Sequence, residues 1–130
     1  MEGPINTLVV DDTPINVKLL TALLKANGFV VTIATTGEAA LELVDRTEFS
    51  LILLDLRLPG IDGLTVARTV RADPRHRRPL IVAVTASAMK TDVAAALAAG
   101  CDAFISKPID TRTLIPTLHG LLARHKPAST

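Results

Sequence analysis

The chain has 130 residues, enough to bury a hydrophobic core and to fold as one domain. Aromatic residues make up only 2% of it, which argues against a stacking surface for single-stranded nucleic acid, and a formal net charge of +1 favours neither DNA nor a membrane surface. The single cysteine excludes an internal disulfide and a cysteine-rich zinc site. With neither a signal-peptide pattern nor an apolar run near the roughly 20 residues of a membrane span, we expect a soluble, cytoplasmic protein.

Short apolar runs alternate along the chain with segments of helical periodicity. The runs that predict strands are Thr7–Val10, Phe29–Ile33, Leu51–Asp55, Leu80–Val84 and Ala103–Ser106. The helices that follow them are predicted to begin at Thr13-Pro14, Thr36, Asp62-Gly63, Lys90 and Asp110, and the fourth to end at Gly100. This alternation predicts an α/β fold, doubly wound around a five-stranded parallel sheet with right-handed crossovers.

The last predicted helix contains a proline. Asp110 can cap this helix, whose apolar stripe runs from Leu114 to Leu122. Because Pro116 removes a backbone hydrogen bond inside a helix, we expect either a start delayed to near Thr113 or a kink. We expect the folded domain to cover residues 5–124 and residues 125–130 to form a frayed tail.

Polar residues stand at the carboxyl ends of four of the predicted strands. Asp55 is the last residue of the third strand; Asp11 and Asp12 follow the first, Thr85 the fourth and Lys107 the fifth. Doubly wound sheets bind their ligands outside the carboxyl ends of the strands, where the strand order reverses. We therefore expect these side chains to meet at one edge of the sheet and to form a site.

These residue types suit phosphoryl transfer assisted by a metal ion. If the first and third strands are neighbours, Asp11, Asp12 or both come close to Asp55, and carboxylates so placed repel unless a cation neutralises them. All-oxygen ligands suit Mg²⁺ or Mn²⁺. Asp55 is then the candidate nucleophile, and Thr85 and Lys107 suit the oxygens of a phosphoryl group.

With these residues in place, the chain resembles the receiver domains of two-component response regulators. The matching motifs are Asp11-Asp12, Asp55 with the LPGIDG segment that follows, Thr85-Ala86 and Lys107-Pro108. Their order and intervals agree with the family from about Asn6 to Arg124. The segments VTASAMK and GCDAFISKPI look most like single-domain regulators of the cell-cycle type and receivers of hybrid kinases. The resemblance implies a flavodoxin-like sheet of strand order 2-1-3-4-5.

The resemblance also implies an acceptor and a metal site. Asp55 would accept a phosphoryl group from a phosphohistidine on a sensor histidine kinase or a histidine phosphotransfer protein. Asp12 and Asp55 would bind Mg²⁺ directly. The backbone carbonyl of Arg57 would be a further ligand, and Asp11 would act through a water molecule.

A conformational switch is implied as well. Thr85 and Lys107 would contact the phosphoryl oxygens, and Lys107-Pro108 would be joined by a cis peptide bond, which the sequence alone only permits. Phe104 would turn inward as Thr85 moves toward the phosphate. The responding surface, bound by a downstream protein, would comprise the fourth helix, fifth strand and fifth helix. The protein would be a monomer or a weak phosphorylation-dependent dimer.

Each of these residues has a plainer explanation when taken alone. Asp11-Asp12 and Thr85 could be helix caps, and Lys107 could be a solvated lysine. Phe104 could be a core residue, which is compatible with a role as a switch. The combination at the strand ends is what favours a site.

The leading hypothesis is a stand-alone response regulator. It would be a phosphoacceptor switch rather than an enzyme, with no chemistry beyond its own phosphorylation and dephosphorylation. The first alternative is a receiver fragment of a hybrid sensor kinase. The second is a Mg²⁺-dependent phosphatase with an aspartate nucleophile, which would want a second acid where Arg57 stands. A flavin or cobalamin binder would need a phosphate loop after the first strand or a histidine near Asp55, and the sequence has neither.

Two further residues would flank the phosphoryl site. Arg57 lies two residues after Asp55, and Ser87 lies two residues after Thr85. We expect Arg57 to shield or ion-pair with the phosphoryl group and so to slow its hydrolysis.

Overall fold

One parallel sheet organises the chain in the computed structural model, which describes residues 5–76, 79–86 and 90–125. The strands are β1 (Ile5–Val10), β2 (Phe29–Ala34), β3 (Leu51–Asp55), β4 (Leu80–Thr85) and β5 (Ala103–Ser106). The helices are α1 (Pro14–Ala26), α2 (Gly37–Arg46), α3 (Gly63–Ala72), α4 (Lys90–Ala98) and α5 (Leu114–Arg124). The sheet order is β2-β1-β3-β4-β5, and every pair of neighbours is parallel. The predicted flavodoxin-like doubly wound fold is therefore confirmed.

The sheet is covered on both faces, which explains why its central strands are continuous apolar runs. Every residue of β3 is buried. Ile52 and Leu54 belong to a cluster with buried residues of α2, α3 and α4. Leu51 and Leu53 belong to a second cluster, with buried residues of α1 and α5. Alternate side chains of one strand thus stabilise both layers of helices.

The parallel register places the carboxyl ends of the strands at one edge of the sheet. Val10 pairs with Leu54, and Thr85 pairs with Ser106. Because all strands run in the same direction, the residues that follow β1 and β5 come to the edge at which β3 and β4 end. We call this edge the polar rim; it carries Asp11, Asp12, Asp55, Thr85 and Lys107.

Two of the predicted helix starts are capped by side chains. Thr36 Oγ1 accepts a hydrogen bond from the Ala39 N–H at 3.0 Å and so caps α2. Asp62 Oδ1 accepts one from the Thr65 N–H at 2.8 Å and so caps α3. Each bond satisfies a backbone donor in a first turn, which has no acceptor within its own helix.

The start of α5 corrects one prediction. The helix begins at Leu114 after Thr113, so the delayed start is confirmed and the assignment of Asp110 as its cap is wrong. Asp110 instead orders the preceding turn: its Oδ1 accepts from the Arg112 N–H at 2.9 Å and its carbonyl from the Leu114 N–H at 3.1 Å. Pro116 consequently lies in the first turn, where its missing N–H is not needed.

Within the part of the chain that the structure describes, no helix combines the length and the apolar composition that crossing a bilayer requires. Ser87 and residues 126–130 of the expected tail lie outside the described residues.

Candidate functional site

Asp55, the last residue of β3, has a partner on each carboxylate oxygen. Its Oδ1 accepts a hydrogen bond from the Arg57 N–H at 3.0 Å, and its Oδ2 lies 3.0 Å from Lys107 Nζ. The residue is only 5% exposed. A carboxylate this deeply buried requires such partners, because burying an unpaired charge costs several kcal/mol. The two contacts orient the Asp55 carboxylate at the polar rim.

Asp11 and Asp12, which follow β1, bring two further carboxylates to the same place. Asp11 is buried and Asp12 is exposed. One carboxylate oxygen from each of Asp11, Asp12 and Asp55 lies within 4.8 Å of the others. Asp11 Oδ1 also accepts a hydrogen bond from the Thr13 N–H at 2.9 Å, so this residue orders the turn that leads into α1. The N-cap of α1 is Thr13, without a side-chain capping bond, so Asp11 orders the turn before the helix rather than capping it. This role is compatible with a role in the site.

The electrostatics of the polar rim favour a bound cation. Burial raises the pKa of Asp11, and the charges of Asp55 and Asp12 raise it too, against the opposing effects of the Thr13 N–H and Lys107. The ammonium of Lys107 lies 3.7 Å from Asp11 Oδ2 and 3.0 Å from Asp55 Oδ2, and its one positive charge balances only one of the three clustered carboxylates. Oxygen ligands of this kind fit a hard divalent ion such as Mg²⁺. The donor set therefore fits the metal that the sequence predicts.

Lys107 is held by its backbone as well as by its ion pairs. Its N–H donates to the Thr85 carbonyl at 2.8 Å, which ties the end of β5 to the end of β4. Thr85 is 4% exposed. The Lys107-Pro108 peptide bond is cis, as the sequence permits. Thr85 and Lys107 thus reach the polar rim from adjacent strands.

A model of one protein family matches most of the chain. The match covers residues 7–119, and the family is described as the response regulator receiver domain. The chain belongs to this family. The predicted resemblance of this chain to the receiver domains of two-component response regulators is therefore confirmed. Receiver domains are phosphorelay modules of two-component systems.

Individual relatives show the same two architectures that the sequence predicts. The receiver domain is 36% identical over 119 residues to the polar-differentiation response regulator DivK of Brucella anthropi, covering 92% of this chain and 97% of that protein. It is also 36% identical over 122 residues to the signal transduction histidine-protein kinase BarA of Shigella flexneri, covering 94% of this chain but 13% of that kinase. The family therefore occurs both as a single-domain regulator and as one part of a kinase.

A solved structure resembles the receiver domain closely. It is the receiver domain of a sensor histidine kinase from Pseudomonas aeruginosa, 32% identical with a TM-score of 0.85, and the superposition covers 93% of this chain and 99% of that one. That structure has a magnesium ion coordinated in its active-site cleft. Receiver domains bind Mg²⁺ in this site, and they interact with histidine kinases or phosphotransfer proteins and with downstream effectors.

Arg57 and Phe104 occupy more exposed positions around the rim. Arg57 is exposed, while its backbone N–H faces Asp55. Phe104 is 39% exposed on β5, where it pairs in register with Ala83. In this structure Phe104 is therefore not a fully buried core residue.

The structure also reveals contacts that the sequence did not indicate. Asp102 Oδ2 accepts hydrogen bonds from the Ile81 N–H at 2.8 Å and from Arg71 Nη2, and Arg71 Nε donates to the Gly100 carbonyl at 2.8 Å. These bonds tie the end of α3 to the starts of β4 and β5. An acid and an arginine so far apart in the sequence have no spacing that would predict their contact. The pair is recognisable only once the fold is known.

A second charged cluster lies at the opposite edge of the sheet. His76 Nε2 is 3.1 Å from Asp45 Oδ1 and 3.4 Å from Asp73 Oδ2, and Arg75 Nη2 lies 3.3 Å and 2.6 Å from oxygens of the same two acids. Hydrogen bonds from Arg75 lower the pKa of Asp73 to about 2. The Arg75 guanidinium contacts both carboxylates, and the cluster links α2 to the segment after α3.

Proposed function

We propose that this receiver domain, spanning residues 5–124, is a phosphorylation-dependent switch whose acceptor is Asp55. The observation that carries the proposal is the pair of contacts made by Lys107 Nζ, at 3.0 Å to Asp55 Oδ2 and 3.7 Å to Asp11 Oδ2. The ammonium of a lysine has a flexible stem, so it can move from a buried carboxylate to the oxygens of an incoming phosphoryl group. The proposed donor is a phosphohistidine of a sensor histidine kinase or a histidine phosphotransfer protein.

The chemical step exchanges one bond to phosphorus for another. A carboxylate oxygen of Asp55 attacks the phosphorus atom as the bond from phosphorus to the histidine nitrogen breaks. The imidazole leaves with the electron pair of that bond and takes up a proton, so no oxidant or further reactant is needed. Lys107 exchanges its contact with Asp55 for a phosphoryl oxygen, and Thr85 contacts another.

We propose Mg²⁺ as the ion of the polar rim. Asp12 and Asp55 would bind it directly, with the Arg57 carbonyl as a further ligand and Asp11 acting through water. When bound, Mg²⁺ supplies neutralisation of the charge on the phosphoryl oxygens. The magnesium in the receiver from Pseudomonas aeruginosa supports Mg²⁺ rather than Mn²⁺.

The switch would act on the face formed by α4, β5 and α5. Thr85 and Lys107 lie at the ends of β4 and β5, and the latter strand also carries Phe104. On this face Phe104 is 39% exposed and Leu97 of α4 is 50% exposed. We propose that Phe104 turns inward when Thr85 moves to the phosphate. The apolar surface offered to a downstream protein would change accordingly.

The output would be protein binding rather than turnover of a substrate. The match over nearly the full length of DivK supports a stand-alone regulator. We propose that it acts in the cytoplasm as a monomer or a weak phosphorylation-dependent dimer. The equal identity to the receiver of BarA supports a hybrid-kinase receiver as the second candidate. Arg57 occupies the position at which an aspartate-nucleophile phosphatase would want its second acid, and we therefore do not propose phosphatase activity.

Intact-mass spectrometry after incubation with acetyl phosphate, with and without Mg²⁺, tests the acceptor. We expect one Mg²⁺-dependent phosphate adduct on the parent protein and none on Asp55→Asn. Asp110→Asn, which changes an exposed acid outside the polar rim, should behave like the parent. An adduct that persists in Asp55→Asn would overturn the assignment, as would a parent protein that accepts phosphate neither from acetyl phosphate nor from a phosphohistidine donor.

A further inference from the structure

Helix α3 begins in direct contact with the backbone that carries Asp55. Gly63, its first residue, is buried, and its N–H donates to the Leu56 carbonyl at 3.2 Å. A methyl group on Gly63 Cα would lie 2.8 Å from Leu56 Cα and closer still to the Asp55 carbonyl oxygen. Both are backbone atoms and cannot rotate away as the end of a side chain can. Only glycine permits this approach.

The contact closes the loop formed by residues 56–62. At the start of this loop the Arg57 N–H holds Asp55 Oδ1 at 3.0 Å. At its end Asp62 caps α3 through the Thr65 N–H at 2.8 Å. Arg57 and Asp55 are both proposed Mg²⁺ ligands, one through its carbonyl and the other through its carboxylate. A displacement of the chain at Gly63 would therefore move two ligands of the same site.

We infer that Gly63 is a positioning residue, which sets the distance between α3 and the Asp55–Arg57 backbone and thereby the geometry of the acceptor and its metal ligands. This inference rests on the proposed function. Sites of this kind require their groups to be placed within about 0.5 Å. A methyl group at position 63 would force a displacement at least of that order, because its distance of 2.8 Å from Leu56 Cα falls short of the normal contact between non-bonded carbon atoms, about 3.5 Å.

The test compares Gly63→Ala with Val66→Ala. Val66 lies on the same helix and is 1% exposed, so its truncation destabilises the protein through a cavity without pushing on the backbone of Asp55. The dissociation constant for Mg²⁺ is measured by isothermal titration calorimetry, since the chain has no tryptophan or tyrosine to report by fluorescence. We expect Gly63→Ala to weaken Mg²⁺ binding by roughly tenfold or more, the scale of disturbed supporting contacts around metal ligands. Val66→Ala should stay near the parent value.

A milder variant keeps the inference testable if Gly63→Ala does not fold. Asp62→Ala removes the cap that holds the first turn of α3, and we expect it to weaken Mg²⁺ binding several-fold. Asp62→Asn keeps a capping oxygen without the charge and should restore the parent affinity. Asn27→Ala removes an exposed side-chain hydrogen bond at the C-terminal end of α1, from Asn27 Nδ2 to the Leu23 carbonyl, and should leave the affinity unchanged.

Amide hydrogen exchange of Arg57 in the metal-free protein gives a readout that does not depend on the proposed function. We expect exchange at Arg57 to be faster in Gly63→Ala than in Val66→Ala. Unchanged Mg²⁺ affinity and unchanged Arg57 exchange in a folded Gly63→Ala would overturn the positioning role, and so would equal effects of Asp62→Ala and Asn27→Ala. If instead the parent neither binds Mg²⁺ nor accepts phosphate, the proposed function fails. Unchanged Arg57 exchange in Gly63→Ala would then also show that the close approach of Gly63 does not position the Asp55–Arg57 backbone.

Discussion

Replacing Lys107 by methionine removes an ammonium group from between two buried carboxylates. Lys107 Nζ lies 3.0 Å from Asp55 Oδ2 and 3.7 Å from Asp11 Oδ2, while the two acids are 5% and 2% exposed. The substitution keeps most of the volume and the apolar stem of the side chain. It therefore tests the charge of Lys107 rather than its packing.

The expected loss of stability follows from these distances. At an effective dielectric constant of about 20, pairs of unit charges at 3.0 Å and 3.7 Å attract by about 5.5 and 4.5 kcal/mol. Desolvation of the ammonium offsets much of this attraction, and removing one partner of a buried pair typically costs about 3–5 kcal/mol. Because Lys107 is 18% exposed, we expect the lower end, about 3 kcal/mol of unfolding free energy without divalent ions.

Mg²⁺ should restore much of that stability. A ligand at 100 times its dissociation constant stabilises a protein by about 2.7 kcal/mol, and a tenfold tighter site adds about 1.4 kcal/mol. Without the competing ammonium, we expect Lys107→Met to bind Mg²⁺ more tightly than the parent while it accepts a phosphoryl group more slowly.

Urea denaturation followed by circular dichroism, in EDTA and in excess Mg²⁺, measures both effects. Lys18→Met, which changes an exposed lysine of α1, is the matched control and should stay close to the parent. A Lys107→Met variant as stable as the parent in EDTA would refute the role of the Lys107 charge. So would a difference in unfolding free energy between parent and variant that Mg²⁺ does not reduce.

Three further predictions concern single side chains. Thr21 Oγ1 is buried without a hydrogen-bond partner among the described residues, so Thr21→Val should raise the unfolding free energy by about 1 kcal/mol in urea denaturation; a loss would show that the hydroxyl is satisfied. The folded-state pKa of Asp73, about 2, lies below its ordinary value of 3.8 because of hydrogen bonds from Arg75. Its stabilising effect is therefore present above pH 3.8 and is lost as the pH falls toward 2. The urea midpoints of the parent and Asp73→Asn should differ at pH 6 and converge on acidification. A difference in midpoint that does not depend on pH would contradict this. Arg57→Ala should speed hydrolysis of the phosphorylated form several-fold, as measured by loss of the phosphate adduct. Arg68→Ala, on the exposed face of α3, should leave the hydrolysis rate unchanged. An unchanged rate in Arg57→Ala would show that the Arg57 side chain does not shield the phosphoryl group.

The fold was predictable because its strands are buried on both faces. A run such as Leu51–Leu54 has no polar residue to satisfy, so the position of Asp55 at its end stands out in the sequence. Parallel strands then bring every strand end to the same edge, and the composition of the polar rim follows from topology. The same regularity explains why Asp11 and Lys107 could be grouped with Asp55 before their distances were known.

It was harder to predict which backbone N–H group a polar side chain near a helix start would bond. Asp110 has the residue type of a helix cap, but its carboxylate bonds to the Arg112 N–H in a turn that precedes α5. The presence of Pro116 signalled either a delayed start or a kink, because a proline inside a helix removes a backbone hydrogen bond. The structure has the delayed start, with Leu114 and Leu118 buried in the core.

Long-range contacts away from the strand ends could not be predicted. The Arg71–Asp102 pair and the contacts of Asp45 with Arg75 and His76 depend on which helix ends lie side by side, and neither has a characteristic spacing. Gly63 gave a partial signal, since glycine is a poor helix former. The identity of the backbone that it approaches is visible only in three dimensions.

The most direct test of the central claim is to locate the phosphate by chemical trapping. The protein is incubated with Mg²⁺ and a phosphohistidine donor, reduced with borohydride, which converts an aspartyl phosphate to homoserine, and digested for peptide mass spectrometry. We expect homoserine at position 55, dependent on both the donor and Mg²⁺, with Asp11 and Asp12 unmodified. Homoserine at position 11 or 12, or no trapped residue despite a phosphorylated donor, would contradict it.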